Sequence, residues 1–253
     1  MIGPDQLDFT LDTDAGRPAY QQIESQVTDA IVRGTLGPGD RLPPERDLAL
    51  TLGVSRMTVR QAFDALARKG LVERGVGRGT FVTAPRVELD RTERVAGFSE
   101  QMERAGLEPS AELVSAEVVR APSSIARSLE LEPGALVARI RRVRSGAGLP
   151  LTLEDSWLPD ALFPGIIEQD LGGSLYALMG GETYGHAPVR AIERLEPVAA
   201  RAADAQALGV RTRSPLMLVE RVAYDANGAP VEFAQDRHRG DRARFVVEVT
   251  TSG

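Results

Sequence analysis

One stretch constrains this chain more than any other. Residues 42–82 contain L-P-P-E-R-D-L-A, then G-V-S-R-M-T-V-R-Q-A-F-D-A-L, then G-L-V-E-R-G-V-G-R-G-T-F-V as the stretch closes. Pro44 suits the opening turn of a helix, where its missing N–H would have had no partner. P-E-R-D-L-A-L-T-L therefore reads as a short helix ended by Gly53. Ser55 is a good N-cap for a further helix that runs to about Lys69 and stops at Gly70. Val59, Ala62, Phe63 and Leu66 give that helix one apolar face, and Arg56, Arg60 and Asp64 lie opposite. A hairpin follows, with strands over 71–74 and 80–83 and a glycine-rich tip over 75–79. Ahead of all this, Ile23, Val27, Ala30 and Ile31 recur at helical spacing and predict a helix over 20–33, stopped by Gly34.

The chemistry of that stretch is specific when its parts are taken in order. Ser55, Arg56, Thr58 and Arg60 set long cations and short hydroxyls on the first turns of one helix. Cations of that kind bind guanine edges or phosphate, and hydroxyls bind phosphate. Glu45 and Arg46 begin the preceding helix. Gly77, Arg78 and Gly79 form the hairpin tip, where glycine permits positive φ and Arg78 can reach a minor groove. Taken singly, Arg56 and Arg60 also read as a solvated face and G-R-G as a mere turn; the ordered conjunction is what carries the reading.

Over residues 17–84 this pattern closely resembles the N-terminal module of the GntR family of bacterial transcription regulators. Arg78 stands where the family usually has lysine, which keeps the charge. The resemblance implies a winged helix-turn-helix whose partner is double-stranded operator DNA, with Glu45 and Arg46 also approaching the operator. It implies a homodimer on a two-fold site, with half-sites about one helical turn apart. The dimer contact is expected from the remainder of the chain, since the first module has no spare apolar face.

The charge is uneven in the same sense. The net charge is −6, yet residues 17–85 carry +3, the tail over residues 1–16 carries −4, and the rest −5. A locally basic module on an acidic chain suits DNA contact confined to one end. The absence of cysteine removes disulfides, thiolate metal sites and cysteine nucleophiles. With only two histidines, His186 and His238, a histidine metal site is not expected either. No apolar run approaches the ~20 residues of a membrane span, and the acidic N-terminus lacks a signal pattern. A cytoplasmic protein without metal or cofactor is expected.

Residues 86–96 are charged and lack a core pattern, so they read as a linker, in part extended. Beyond them the chain looks duplicated. L-V-A-R-I-R-R-V-R-S-G-A-G-L-P-L-T-L-E-D-S-W begins at Leu136, and L-M-L-V-E-R-V-A-Y-D-A-N-G-A-P-V-E-F-A-Q-D-R begins at Leu216. Each is a hairpin, each follows a helical stretch (123–129 and 199–208), and each helix follows a strand candidate (112–119 and 189–196). Residues 159–186 are an insert between the two units. Two strand–helix–hairpin units are expected to share one mixed sheet with helices on one side.

Arg142 and Arg144 alternate on one strand and point to one face. Two guanidiniums so placed repel unless an anion sits between them. Glu154 and Glu232 follow the equivalent prolines of the two hairpins with equal parity, so they occupy corresponding faces. Ser99 stands where a helix is about to begin, a place where an anion meets free N–H donors. With Ser174 and Tyr176, this set suits a small ligand with one anionic end and one hydroxyl- or amine-bearing end. The alternative is that Arg142 and Glu154 are cross-strand partners on a solvated sheet.

Residues 97–253 resemble the effector-binding and dimerisation domain of the HutC-type branch, known as UTRA. The resemblance rests on G-F-S-E-Q-M, R-V-R, L-P-L-T-L-E, S-L-Y, P-V-E-F and R-G-D-R. It implies an α+β chain: an N-terminal winged helix-turn-helix, then a mixed α/β effector domain of chorismate-lyase-like fold with an internal pseudo-repeat. It also implies a repressor governed by a small anionic metabolite, best a phosphorylated amino sugar, held by Ser99, Arg142, Arg144, Glu154, Ser174, Tyr176, Glu232 and His238. His238 replaces a tyrosine common in the family. It is either a surface residue or a pocket residue that alters the ligand's polar end and admits a small carboxylate. Two rivals stay open. One is a chorismate-lyase-like enzyme, although no G-x-S-x-G, H-E-x-x-H or Walker-type loop is present. The other is a constitutive DNA-binding protein whose second domain senses nothing.

Overall fold

The computed structural model describes residues 9–12, 16–32, 35–75, 79–83, 87–90 and 95–249. The chain divides into two compact units, Met1–Pro85 and Arg86–Gly253.

The first unit holds α1 (Ala19–Val32), α2 (Glu45–Leu52) and α3 (Arg56–Arg68), then the hairpin β1 (Val72–Gly75) and β2 (Gly79–Val82). The local signals act as read. Pro44 precedes α2 with φ −56°, and Gly53 ends it in the left-handed region at φ 65°. Ser55 Oγ accepts the Thr58 N–H at 3.1 Å, satisfying one of the amides that a helix start leaves open. Ile23, Val27 and Ile31 of α1 are buried, as are Val59, Ala62, Phe63 and Leu66 of α3. Each of the larger of these side chains contributes about 1.5–3 kcal/mol by leaving water, and the Ala62 methyl less. The connector ahead of α2 is not idle: Gly39 N donates to Val82 O, Val82 N to Asp40 O and Leu42 N to Thr80 O, each at 2.8 Å. The wing hairpin therefore gains a third backbone segment.

The second unit is built on a six-stranded sheet in the order β4-β5-β6-β9-β8-β7. Its strands are β4 (Pro109–Arg120), β5 (Leu136–Gly146), β6 (Leu149–Pro159), β7 (Arg190–Ala199), β8 (Pro215–Tyr224) and β9 (Pro230–Arg239). The helices α5 (Ser123–Ser128) and α7 (Ala202–Leu208) join β4 to β5 and β7 to β8. The order is that of two equivalent units meeting back to back, with β6 against β9 at the pseudo-two-fold junction.

Three expectations need correction. The six-stranded sheet is antiparallel throughout, not mixed. Each short helix returns the chain to the edge of the strand it has just left, so β4 pairs with β5 and β7 with β8, in both cases antiparallel. Helical cover is not confined to one face. α5 packs on Val137, Trp157, Val222 and Phe233, and α7 on Val143 and Leu153. The insert covers the other face, with Phe163, Ile166, Leu171, Leu175 and Met179 against Ala138, Ile140 and Leu158. Finally, the stretch read as a linker contains β3 (Val87–Asp90), which pairs in parallel with β10 (Ala243–Val246). Val87 and Leu89 are buried with Phe98, Met102 and Leu151. V-E-L-D alternates with period two, but four residues amid charges are too few for the pattern to stand out.

Candidate functional site

In the first unit the sequence-expected residues converge on the start of α3. Ser55 Oγ and Thr58 Oγ1 lie 2.9 Å apart. The Arg56 side chain is 71% exposed, and its Nε donates to Glu45 Oε2 at 3.1 Å. An ion pair that exposed is worth at most about 1 kcal/mol, so a phosphate can take Arg56 from Glu45 cheaply. Arg46 and Arg60 are exposed. Gly79 has φ +102°, a conformation glycine alone adopts without strain. Gly77 and Arg78 lie outside the described residues. Sequence reading missed Arg74, whose Nη2 reaches Asp64 Oδ1 at 2.8 Å and Glu45 Oε1 at 3.4 Å. It ties the wing to both helices of the motif.

In the second unit, one carboxylate oxygen links the two arginines of β5. Glu154 Oε2 accepts from Arg142 Nη2 at 2.7 Å and from Arg144 Nη1 at 3.4 Å. Arg142 and Glu154 are register partners on β5 and β6, but both are buried, so the solvated-sheet alternative fails. Arg142 Nη1 also donates to the carbonyls of Leu171 and Gly173, each at 3.0 Å. Arg144 Nη2 donates to Ser99 Oγ at 2.8 Å, and its guanidinium lies 4.7 Å from the Phe98 ring centroid. Ser99 belongs to α4 (Phe98–Arg104), whose N-cap is Gly97. Ser174 caps α6 (Leu175–Gly180) by accepting from Ala177 N at 3.2 Å.

A second carboxylate, Glu232, faces this group from the other half. It accepts from Ser156 Oγ and Tyr176 Oη, both at 2.8 Å, and from Arg221 Nε at 3.3 Å. Arg221 continues to Asp236 at 3.0 Å. A small cavity of about 20 Å³ lies among Arg142, Arg144, Glu154, Tyr176, Arg221 and Glu232. That is room for about one water, so this conformation is closed to a metabolite. Burial works to raise the Glu154 pKa, but Arg142, Arg144 and Arg221 outweigh it and hold it below the usual carboxylate value. Burial lowers Arg144, and burial with the neighbouring Glu232 pushes Tyr176 well up.

His238 departs from expectation. It is buried on β9, hydrogen-bonded to Thr152 at 2.7 Å and set edge-on to Phe245, outside the lining of the cavity. Its register partner is Thr152, two residues before Glu154, which places it one step along the sheet from that carboxylate and six residues along β9 from Glu232. Arg221 is the opposite case: it lines the cavity, and sequence reading missed it. The signal was a lone arginine inside the apolar run L-V-E-R-V-A, paired with the strand that carries Glu232.

Two family descriptions match the chain: "Bacterial regulatory proteins, gntR family" over residues 19–82, and "UTRA domain" over residues 104–244. The repressor NagR of Bacillus subtilis is 36% identical over 90% of this chain and 93% of its own length. The chain belongs to the GntR family. It is a HutC-type, UTRA-bearing member, a DNA-binding transcription regulator and not an enzyme. The mannosyl-D-glycerate transport/metabolism system repressor MngR of Escherichia coli is 29% identical over 91% of the chain and 95% of its own length. Among solved structures, PhnF from Mycobacterium smegmatis matches with TM-score 0.64 and 31% identity, over 88% of this regulator and all of that chain. Among the described residues, no helix of this GntR-family regulator is long and apolar enough to cross a membrane.

Proposed function

We propose that this regulator is a homodimeric repressor whose operator affinity is set by a small anionic metabolite bound in the second unit. A phosphorylated amino sugar is the ligand that fits best. The observation that carries the reading is the buried Arg142–Glu154–Arg144 cluster, in which a carboxylate occupies the position an incoming anion would take. Ser99 adds a hydroxyl to the anionic end. Glu232, held by Tyr176 and Ser156, offers an acceptor for hydroxyl or ammonium at the other end. Because His238 stands outside the cavity lining, it lends no support to a carboxylate ligand. The repressor sign is supported by relatives named as repressors. Dimerisation through the second unit is supported by apolar residues exposed on the sheet's outer strands, Leu113, Val114 and Val118 of β4 and Ile192 and Leu195 of β7.

The test is thermal unfolding of the full chain with amino-sugar phosphates, other sugar phosphates and small carboxylates. A ligand at 100 times its dissociation constant adds about 2.7 kcal/mol, which for a chain of this size is a shift of roughly 5–10 °C. A shift with a phosphorylated amino sugar supports the reading. A shift with carboxylates alone moves the ligand class, and no shift with any of them removes the sensing role.

A further inference from the structure

We propose that Arg41 is a further DNA contact, a guanidinium that binds a backbone phosphate in the groove between the wing and helices α2 and α3. The inference rests on the first unit docking on duplex DNA, and it concerns a residue outside the helix-turn-helix and the wing tip. Arg41 lies in the turn-rich connector ahead of α2, where composition alone gives it no role. The fold gives it one. Its backbone bridges to Phe81 of β2, and its flanking residues Asp40 and Leu42 bond to Val82 and Thr80. The residue is thereby fixed on the wing rather than carried on a loose loop.

The side chain lies along the wing strand. A Cβ built on Gly79 would lie 2.7 Å from Arg41 Nε and 3.1 Å from Nη2. The Nε–Nη2 edge of the guanidinium thus fills the space that a side chain at position 79 would take, and the positive φ there calls for glycine in its own right. Yet the cation placed with such care has no internal use. Arg41 Nε is buried without a hydrogen-bond partner, which leaves the Nη groups to meet an outside acceptor, and no ion pair of Arg41 occurs among the described residues. Arg56 and Arg74, by contrast, share Glu45.

The surroundings define the missing partner. A groove of about 480 Å³ is lined by Arg41, Arg46, Arg56 and Arg74, with Glu45 as its one acidic residue. Four arginines against one carboxylate suit an anion, and the groove opens between the wing and the start of α3. A phosphodiester supplies the acceptor oxygens that a guanidinium binds in a charge-assisted way. Arg41 stands at the base of the wing, off both α3 and the tip, so its contact is with the backbone and carries no base preference.

The experiment uses the full chain and two duplexes, one enriched by the wild type from a random pool and one of the same composition shuffled. Affinity is measured against salt concentration for wild type, Arg41→Met and Arg41→Lys. Methionine keeps the stem against Gly79 and removes the charge. Arg41→Met should weaken binding to both duplexes by a similar factor, and the slope of log Kobs against log[salt] should become shallower by about 1.8, about 0.9 for each copy in the dimer. Arg41→Lys should restore the slope. An unchanged slope in Arg41→Met overturns the proposal, as does a loss confined to the enriched duplex. If Arg41→Met and Arg41→Gln both fail to fold, the guanidinium serves the packing of the wing, and the proposal falls. Failure of the wild type to prefer its enriched duplex would instead count against the DNA-binding reading itself.

Discussion

A single carboxylate oxygen decides how the buried cluster on β5 and β6 behaves. Glu154 Oε2 touches both Arg142 and Arg144, so the protein carries its own stand-in for an anionic ligand. Glu154→Gln removes the charge and leaves two buried guanidiniums facing each other. Breaking a buried pair from one side costs about 3–5 kcal/mol, so the variant should melt well below the wild type at pH 7. Inorganic phosphate should then rescue it far more than it stabilises the wild type; equal rescue of both proteins would mean the cluster is not an anion site. The sign of the pH dependence follows from the same residue. The Glu154 pKa is depressed in the folded state, so its contribution is present above the unfolded value of about 4.3 and is lost as pH falls through the folded value. Melting temperature against pH should therefore be flatter below about pH 4 in Glu154→Gln than in wild type. Arg144→Ala should still bind operator DNA but lose its response to effector, and normal induction of that variant would exclude Arg144 from the ligand's anionic end.

The elements show which parts of this fold can be read locally. The caps of α2 and α3 and the two hairpins follow from Pro44, Gly53, Ser55 and period-two runs, all signals within a few residues of their effect. Arg142, Arg144 and Glu154 were legible together because parity within one hairpin settles which face they share. The pairing of β6 with β9 is a contact across some 80 residues, and no local pattern encodes its register. That is why Arg221 escaped notice and why the place of His238 outside the cavity lining was not foreseen. The strand β3 was missed because its partner β10 stands at the far end of the chain. At this scale Ser55 offers a test that separates folding from contact. Ser55→Ala should cost about 1 kcal/mol through loss of the cap and weaken DNA binding. Ser55→Asp keeps a capping carboxylate and should keep the melting temperature, yet it sets a negative charge against phosphate and should bind DNA more weakly than the alanine variant. Equal binding by the two variants would place Ser55 away from the DNA backbone.

For the whole molecule, two units with separate cores must still exchange free energy if one of them governs the other. Thermodynamic linkage makes that exchange reciprocal: whatever factor the effector takes from operator affinity, the operator takes from effector affinity. A coupling of roughly 1–3 kcal/mol corresponds to a 5- to 150-fold change. Calorimetric titration of the effector into the free regulator, and into the regulator saturated with its enriched duplex, should return affinities that differ by a factor in that range. Titration of the duplex with and without effector should return the same factor. Arg56→Ala divides the roles. It removes a cation exposed at the start of α3 and leaves the second unit untouched, so it should abolish specific DNA binding while effector affinity in the absence of DNA stays at the wild-type value. Loss of both affinities in Arg56→Ala would contradict a division of labour between the units. Effector affinity that is unchanged by saturating duplex would mean that the second unit binds its ligand without informing the first, and the regulator would then hold its operator constitutively.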